Sequence, residues 1–88
     1  MASVMVLHEV DDVDHWLSSP KRAGIFAPLG ISEKTYIDPQ GSNKVGVLLE
    51  VPDMEELKAI LESDVGAEAM KHDGVPPETM LMLLGSEA

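Results

Sequence analysis

Strands that are apolar on both faces are the feature that most constrains how this chain folds. Successive side chains of a strand point to opposite faces of its sheet, so alternate positions share a face. The segment KVGVLLEV at 44–51 has valine or leucine throughout one alternate set, and Leu48 extends the apolar character to the other. The segments at 3–10 and 78–85 are also apolar on both sets. Soluble monomers rarely expose a patch of that size, so these strands need a cover on each face.

The order of the elements is predicted by capping residues, turn residues and hydrophobic periodicity. Pro20 interrupts the first helix, and the turn sequence DPQGSN at 38–43 joins two strands into an antiparallel hairpin. The predicted segments are a strand at 3–10, a helix capped by Asp11 or Asp12, a second helical segment from Pro20 to Phe26, strands at 31–38 and 44–51, a helix capped by Asp53 that continues or restarts through Met70 and ends at Gly74, and a strand at 78–85.

This order, β-α-β-β-α-β, predicts a ferredoxin-like α+β fold with a four-stranded antiparallel sheet. Residues 1–88 are expected to form a single domain of this kind. In such a fold the helices pack on one face of the sheet. A second copy of the same sheet is the simplest cover for the other face, through a two-fold interface. The sequence therefore predicts a homodimer in which the strand at 31–38 is the most exposed.

Several short motifs along the chain carry a resemblance to a known family. They are HEVDDVDHW at 8–16, Arg22, YIDP at 36–39, EVPDMEELKAILES at 50–63 and AMKHDGV at 69–75. Through them the whole chain resembles the dimeric α/β-barrel proteins, in which two ferredoxin-like sheets close on each other. It is most similar to small, mostly uncharacterised bacterial members related to antibiotic-biosynthesis monooxygenases and cyclase-like proteins.

The resemblance implies a small-molecule site between the helices and the sheet of each subunit. Cofactor-independent oxygenases of the similar families oxidise electron-rich aromatic substrates whose anions react with oxygen, which implies a small aromatic or enolisable ligand and no cofactor. The alternative is a non-catalytic module that acts by oligomerisation, by ligand binding or in stress tolerance. Haem or metal handling also occurs in the superfamily, but no histidine here is placed as an axial ligand.

His8 is the candidate catalytic residue, because an imidazole on a strand between valines can act as a general base or bind an anion. The structural alternative is a buried neutral imidazole hydrogen-bonded to a backbone carbonyl or to a side chain in the dimer interface. Its alternate-position neighbours Val4, Val6 and Val10 predict that His8 is buried either way. We expect a ligand site to appear as a cavity of about 300 Å³ or more, and a purely structural histidine to lie in a filled interior.

Three further residues are candidate ligand-binding residues. Trp16, the single tryptophan, lies on the apolar side of the first helix and serves either as core or as a ligand platform. Arg22 either clamps an anionic ligand or pairs with one of the chain's own carboxylates. Tyr36 either donates its hydroxyl to a ligand or sits half exposed at the edge of the sheet.

No metal site is predicted, because the three histidines lack a ligand spacing such as H-x-x-x-H. His15 and His72 are expected to lie on the surface. The sequence also contains no cysteine that would act as a nucleophile or ligand.

The net charge of −10 argues against partners that are themselves anionic. Binding to nucleic acid or to an anionic membrane surface depends on lysine and arginine, of which the chain has six against sixteen acidic residues. The sequence shows neither a membrane-spanning run nor a signal peptide, so a cytoplasmic protein is expected.

Overall fold

A single antiparallel sheet of four strands organises the computed structural model, which describes residues 2–85. The strands are β1 (Ala2–Glu9), β2 (Ser32–Ile37), β3 (Lys44–Val51) and β4 (Leu81–Leu84). The helices are α1 (Val13–Ser18), α2 (Lys21–Phe26), α3 (Met54–Leu61) and α4 (Asp64–His72). The strand order β2-β3-β1-β4 puts β1 and β3 in the centre and confirms the predicted ferredoxin-like α+β fold.

The helical layers begin and break where local chemistry requires it. Asp12 caps α1 by accepting the backbone N–H of His15. Pro20 separates α1 from α2, and Ser19 before it is extended with a ψ of 131°. The second helical region is divided at Ser63, whose hydroxyl accepts the N–H of Gly66 and begins α4 as a new helix.

The last strand is shorter than its apolar sequence predicts. Residues 78–85 were expected to be extended, but Pro77–Thr79 form a 3₁₀ turn and β4 begins at Leu81. The turn is held by hydrogen bonds from the hydroxyl and the N–H of Thr79 to the carbonyl of Pro76. The two consecutive prolines favour such a turn because their fixed φ angles suit it and they donate no hydrogen bond to a ladder.

The helices cover one face of the sheet, and the core lies between them. Trp16 and Leu57 are completely buried there against the inward-facing valines of β1 and β3. Gly66 allows α4 to approach the end of α3, because a Cβ at this position would fall on the carbonyl oxygen of Ile60.

The opposite face, which we call the open face, carries a central apolar band that no element within residues 2–85 covers. Strand pairing opposes Leu7 to Gly46 on β3 and to Leu81 on β4. The residues of this band are Met5, Leu7, Gly46, Leu48, Leu81 and Leu83. Leu7, Leu81 and Leu83 are 39%, 53% and 49% exposed. Among the described residues, no helix combines the length and the apolar character needed to cross a membrane.

Candidate functional site

An internal cavity of about 80 Å³ lies between the helices and the sheet and brings three of the four predicted site residues together. His8, Trp16 and Arg22 all line it. Most of the remaining wall is apolar, and three flexible methionines form part of it, namely Met70, Met80 and Met82. The cavity is smaller than the volume we expected of a preformed ligand site, but it is not a filled interior.

His8 projects from the central strand β1 towards the helices and is 7% exposed, which confirms its predicted burial. Its Nδ1 lies 3.0 Å from the carbonyl oxygen of Glu9. A carbonyl oxygen only accepts, so Nδ1 carries the proton and the neutral ring has its lone pair on Nε2. Within residues 2–85, Nε2 makes no hydrogen bond. The ring is therefore oriented by the backbone and keeps one free basic nitrogen.

The pKa of His8 is lowered from its ordinary value of 6.5, mainly because burial disfavours the imidazolium. The hydrogen bond to the Glu9 carbonyl opposes this effect, and the positive charge of Arg22 adds to it. His8 is consequently neutral at physiological pH, which is the state that a general base requires.

Trp16 lies between His8 and Arg22 and contacts both side chains. The rings of His8 and Trp16 meet edge to face, with centroids 5.5 Å apart and an interplanar angle of 79°. The guanidinium carbon of Arg22 lies 4.2 Å from the centroid of the Trp16 ring, in a cation–π contact. Trp16 is fully buried, so it serves as core and as cavity wall at once.

Arg22 is already paired with carboxylates of its own chain, which was one of its two predicted roles. Its Nη1 lies 3.2 Å from the carbonyl oxygen of Trp16 and 3.4 Å from Oδ2 of Asp73. Its Nε lies 3.7 Å from Oε2 of Glu33. Nε of Arg22 and Oε2 of Glu33 are buried, and neither atom makes a hydrogen bond in the described part of the chain. The separation of 3.7 Å is too long for a hydrogen bond, so these two atoms form only an ion pair.

Tyr36 does not belong to this cavity. It faces the open side of the sheet, opposite Gly46, and is 41% exposed. Strand alternation explains the separation, because Glu33 and Thr35 on the same strand point towards the helices. Lys34 Nζ lies 5.6 Å from the Tyr36 ring on that open face. Tyr36 instead lines a shallow groove on the open side, which His8 also borders.

Asp73 and Glu33 are the functional candidates that sequence reasoning missed. Asp73 follows α4 and is 2% exposed, although the motif HDG indicated only a helix end. The orientation of Glu33 does follow from strand alternation, since Glu33 and Thr35 lie on the helix-facing side of β2. Because the chain has sixteen acidic residues, its composition does not indicate which carboxylate is buried.

His15 and His72 are exposed, as expected, but the fold brings them together. A ring nitrogen of each and a carboxylate oxygen of Asp73 all lie within 4.8 Å of one another. A spacing such as H-x-x-x-H applies only to ligands on one helix, whereas His15 comes from α1 and His72 from the end of α4.

Comparison with known proteins finds solved structures of the same fold but no match by sequence. No protein-family model matches the sequence, and no curated protein matches it. A crystal structure described as an antibiotic biosynthesis monooxygenase superposes with a TM-score of 0.66 at 10% identity, covering 100% of this chain and 99% of that chain. A putative antibiotic biosynthesis monooxygenase from Deinococcus radiodurans gives a TM-score of 0.62 at 11% identity, covering 100% and 93%. At such identities the likeness concerns the fold alone, and at that level it confirms the resemblance predicted from the sequence: the chain has the ferredoxin-like fold of the antibiotic biosynthesis monooxygenase structures.

Proposed function

We propose that the chain binds a small aromatic or enolisable molecule in the cavity at His8 and supports cofactor-independent, monooxygenase-like chemistry on it. The observation that carries this proposal is the environment of His8. A buried, neutral imidazole is held by a backbone carbonyl on one side and presents a free nitrogen in a largely apolar cavity. The fold shared with monooxygenase structures is consistent with the proposal.

In the first step His8 removes a proton from the hydroxyl group of a phenol or enol. The O–H bond breaks, the proton moves to Nε2 of His8, and the electron pair stays on the substrate oxygen. The imidazolium formed beside the anion stabilises it, and the positive charge of Arg22, which also lines the cavity, adds to this stabilisation. The largely apolar lining of the cavity strengthens both interactions.

Dioxygen is the oxidant in the second step. A phenol that takes up one oxygen atom at a ring C–H position becomes a quinone, and the second oxygen atom leaves as water. The substrate supplies all the electrons, so the reaction needs no reductant.

The size of the cavity limits the ligand. Typical ligand pockets measure about 300–1,000 Å³, and an engineered cavity of about 150 Å³ holds benzene. The present cavity of about 80 Å³ therefore admits a single ring only if its methionine wall yields. Met70 and Met80 are half-buried and Met82 is exposed, and their unbranched side chains change rotamer easily. We therefore propose a ligand of one ring or smaller.

The test uses Trp16 as its own reporter, because it is the single tryptophan and it lines the cavity. A panel of single-ring phenols, hydroquinones and 1,3-dicarbonyl compounds is titrated while Trp16 fluorescence is followed. Oxygen consumption and quinone absorbance then measure turnover. We expect saturable quenching by at least one class and turnover by a subset of it.

The matched variant is His8→Asn. The asparagine amide nitrogen can replace Nδ1 as the donor to the Glu9 carbonyl, while the basic nitrogen is lost. We expect turnover to fall by at least about 100-fold, with ligand quenching retained. Equal turnover by wild type and His8→Asn would remove His8 as the base. A panel that neither quenches Trp16 nor is oxidised would contradict the proposed function itself.

We propose further that the chain is a homodimer joined through the apolar band of the open face. In the band Met5 lies between Leu48 and Leu83, and Leu7 lies between Gly46 and Leu81. Polar residues flank the band at both ends of the sheet. Covering it with the same band of a second copy buries both patches at once.

A non-catalytic oligomerising module is the second candidate function. It is favoured by the small size of the cavity, set against the large apolar surface of the open face. In that case the dimer forms, no compound in the panel is oxidised, and His8→Asn changes stability only.

A further inference from the structure

We propose that His15, His72 and Asp73 form a binding site for a divalent transition-metal ion, at the surface where α1 meets the end of α4. One donor atom from each of the three residues lies within 4.8 Å of the other two. The two imidazole rings face each other with centroids 5.3 Å apart and an interplanar angle of 38°. Asp73 also lines the cavity at His8, but His15 and His72 do not, and metal binding here does not require the proposed chemistry of His8.

The geometry of His72 and Asp73 is already close to that of two neighbouring ligands. Nδ1 of His72 and Oδ1 of Asp73 are 2.9 Å apart. Two ligand atoms that each lie about 2.1 Å from an ion are about 3.0 Å apart at a right angle and about 3.4 Å apart at the tetrahedral angle. A metal ion can therefore take the place of the proton that these two atoms share, with only a small separation of the side chains.

His15 supplies the third ligand with a small movement. Its Nε2 lies 2.8 Å from the carbonyl oxygen of His72, so Nε2 is the protonated nitrogen and Nδ1 carries the lone pair in the neutral ring. The residue is exposed, so its ring can turn to direct this nitrogen towards the ion. The ion would then cross-link α1 to the end of α4, two elements far apart in the sequence.

Negative charge around the three residues favours a cation, although the guanidinium of Arg22 opposes it. Arg22 contacts Oδ2 of Asp73 and leaves Oδ1 to the histidine, as the outer partners of metal-binding carboxylates commonly do. Asp73 itself is 2% exposed, so its position is fixed by the fold. Asp11 lies against Gly74, the next residue, and adds negative charge. The negative end of the α4 dipole does the same at His72.

The donor set selects the class of ion. Two imidazole nitrogens and one carboxylate oxygen suit Zn²⁺, Co²⁺, Ni²⁺ or Cu²⁺, whereas Mg²⁺ and Ca²⁺ prefer oxygen ligands. Three protein ligands leave further positions to water.

The experiment titrates the tag-free full chain with Co²⁺, whose visible absorption reports direct coordination, and then displaces Co²⁺ with Zn²⁺. We expect one ion per chain, and we expect Zn²⁺ to raise the melting temperature by linkage. His15→Ala and His72→Ala should each weaken binding by at least about tenfold and abolish the thermal shift. His15→Gln is a second variant that keeps the size and polarity of the side chain.

The chain's third histidine provides the matched control. His8→Asn removes an imidazole elsewhere in the molecule and should leave Co²⁺ affinity unchanged. Mg²⁺ in large excess should not compete, which separates this site from diffuse attraction by a chain of net charge −10. No bound Co²⁺, or binding that survives both histidine variants, would overturn the proposal.

Discussion

At the scale of single residues, burial of His8 makes stability depend on pH. The pKa of His8 is lowered in the folded chain, so the unfolded chain binds the proton more tightly. Stability therefore decreases as the pH falls from about 6.5 towards the lowered pKa, and it gains nothing from this group above that range. Urea unfolding between about pH 5 and 7 should show a steeper loss in wild type than in His8→Asn. Parallel pH profiles for the two proteins would contradict the burial of a neutral imidazole.

Arg22 provides a prediction on the pairing of charges. Arg22→Met keeps much of the apolar contact with Trp16 but leaves the carboxylates of Asp73 and Glu33 without their cation. We expect the free energy of unfolding to fall by about 2–4 kcal/mol. The control is Lys21→Met, which removes an exposed cation one position earlier and should cost less than about 0.5 kcal/mol. Equal effects of the two variants would show that the ion pairs of Arg22 with Asp73 and Glu33 do not stabilise the folded protein.

The contrast between His8 and Asp73 shows what a sequence reveals at this scale. The burial of His8 follows from strand alternation with Val4, Val6 and Val10, which is a local property. The role of Asp73 depends on Arg22, which is 51 positions away, and on His15 from another helix. No periodic pattern records such a meeting, so the ion pair and the proposed metal site emerge only from the tertiary structure.

At the scale of secondary-structure elements, two glycines in helices should respond oppositely to the same change. Gly66→Ala places a Cβ on the carbonyl oxygen of Ile60, so α4 must move away from α3, and we expect a loss of about 1–3 kcal/mol. Gly24 in α2 has nothing within 4 Å of the position of a Cβ. Gly24→Ala should therefore be neutral or stabilise the protein by up to about 1 kcal/mol. Thermal melts of both variants measure the difference, and a tolerated Gly66→Ala would disprove the close approach of these helices.

Elements with strong local signals were predicted with nearly correct bounds. The strand Lys44–Val51, the cap Asp53 and the cap Asp12, one of two predicted for the first helix, agree with the structure because alternation and capping act within a few residues. The sequence left open whether the helix that begins at Asp53 continues or restarts, and the structure shows a restart at Ser63. Gly66 allows this arrangement, because it lets the start of α4 lie close to the end of α3. The late start of β4 was missed, because an apolar run does not show where the 3₁₀ turn after Pro76 ends.

At the scale of the whole molecule, net charge opposes the association that the open face favours. Two chains of charge −10 repel each other, whereas the proposed contact between their apolar bands is not electrostatic. We therefore expect the dimer to tighten as sodium chloride is raised. Sedimentation equilibrium at micromolar concentration, at low and at high salt, measures this directly. A dimer that weakens with salt would indicate an interface dominated by ion pairs instead.

A pair of leucine variants tests which surface joins the two copies. Leu7 lies in the apolar band and is 39% exposed, while Leu17 on α1 is 41% exposed and lies on the helical side of the molecule. Leu7→Lys and Leu17→Lys add the same positive charge, so both reduce the general repulsion between chains equally. Only Leu7→Lys places an ammonium group where the two bands meet, and burying it without a partner is costly. We expect Leu7→Lys to sediment as a folded monomer and Leu17→Lys to remain a dimer. If Leu17→Lys dissociates and Leu7→Lys does not, the interface lies on the helices, and the open face needs a different cover.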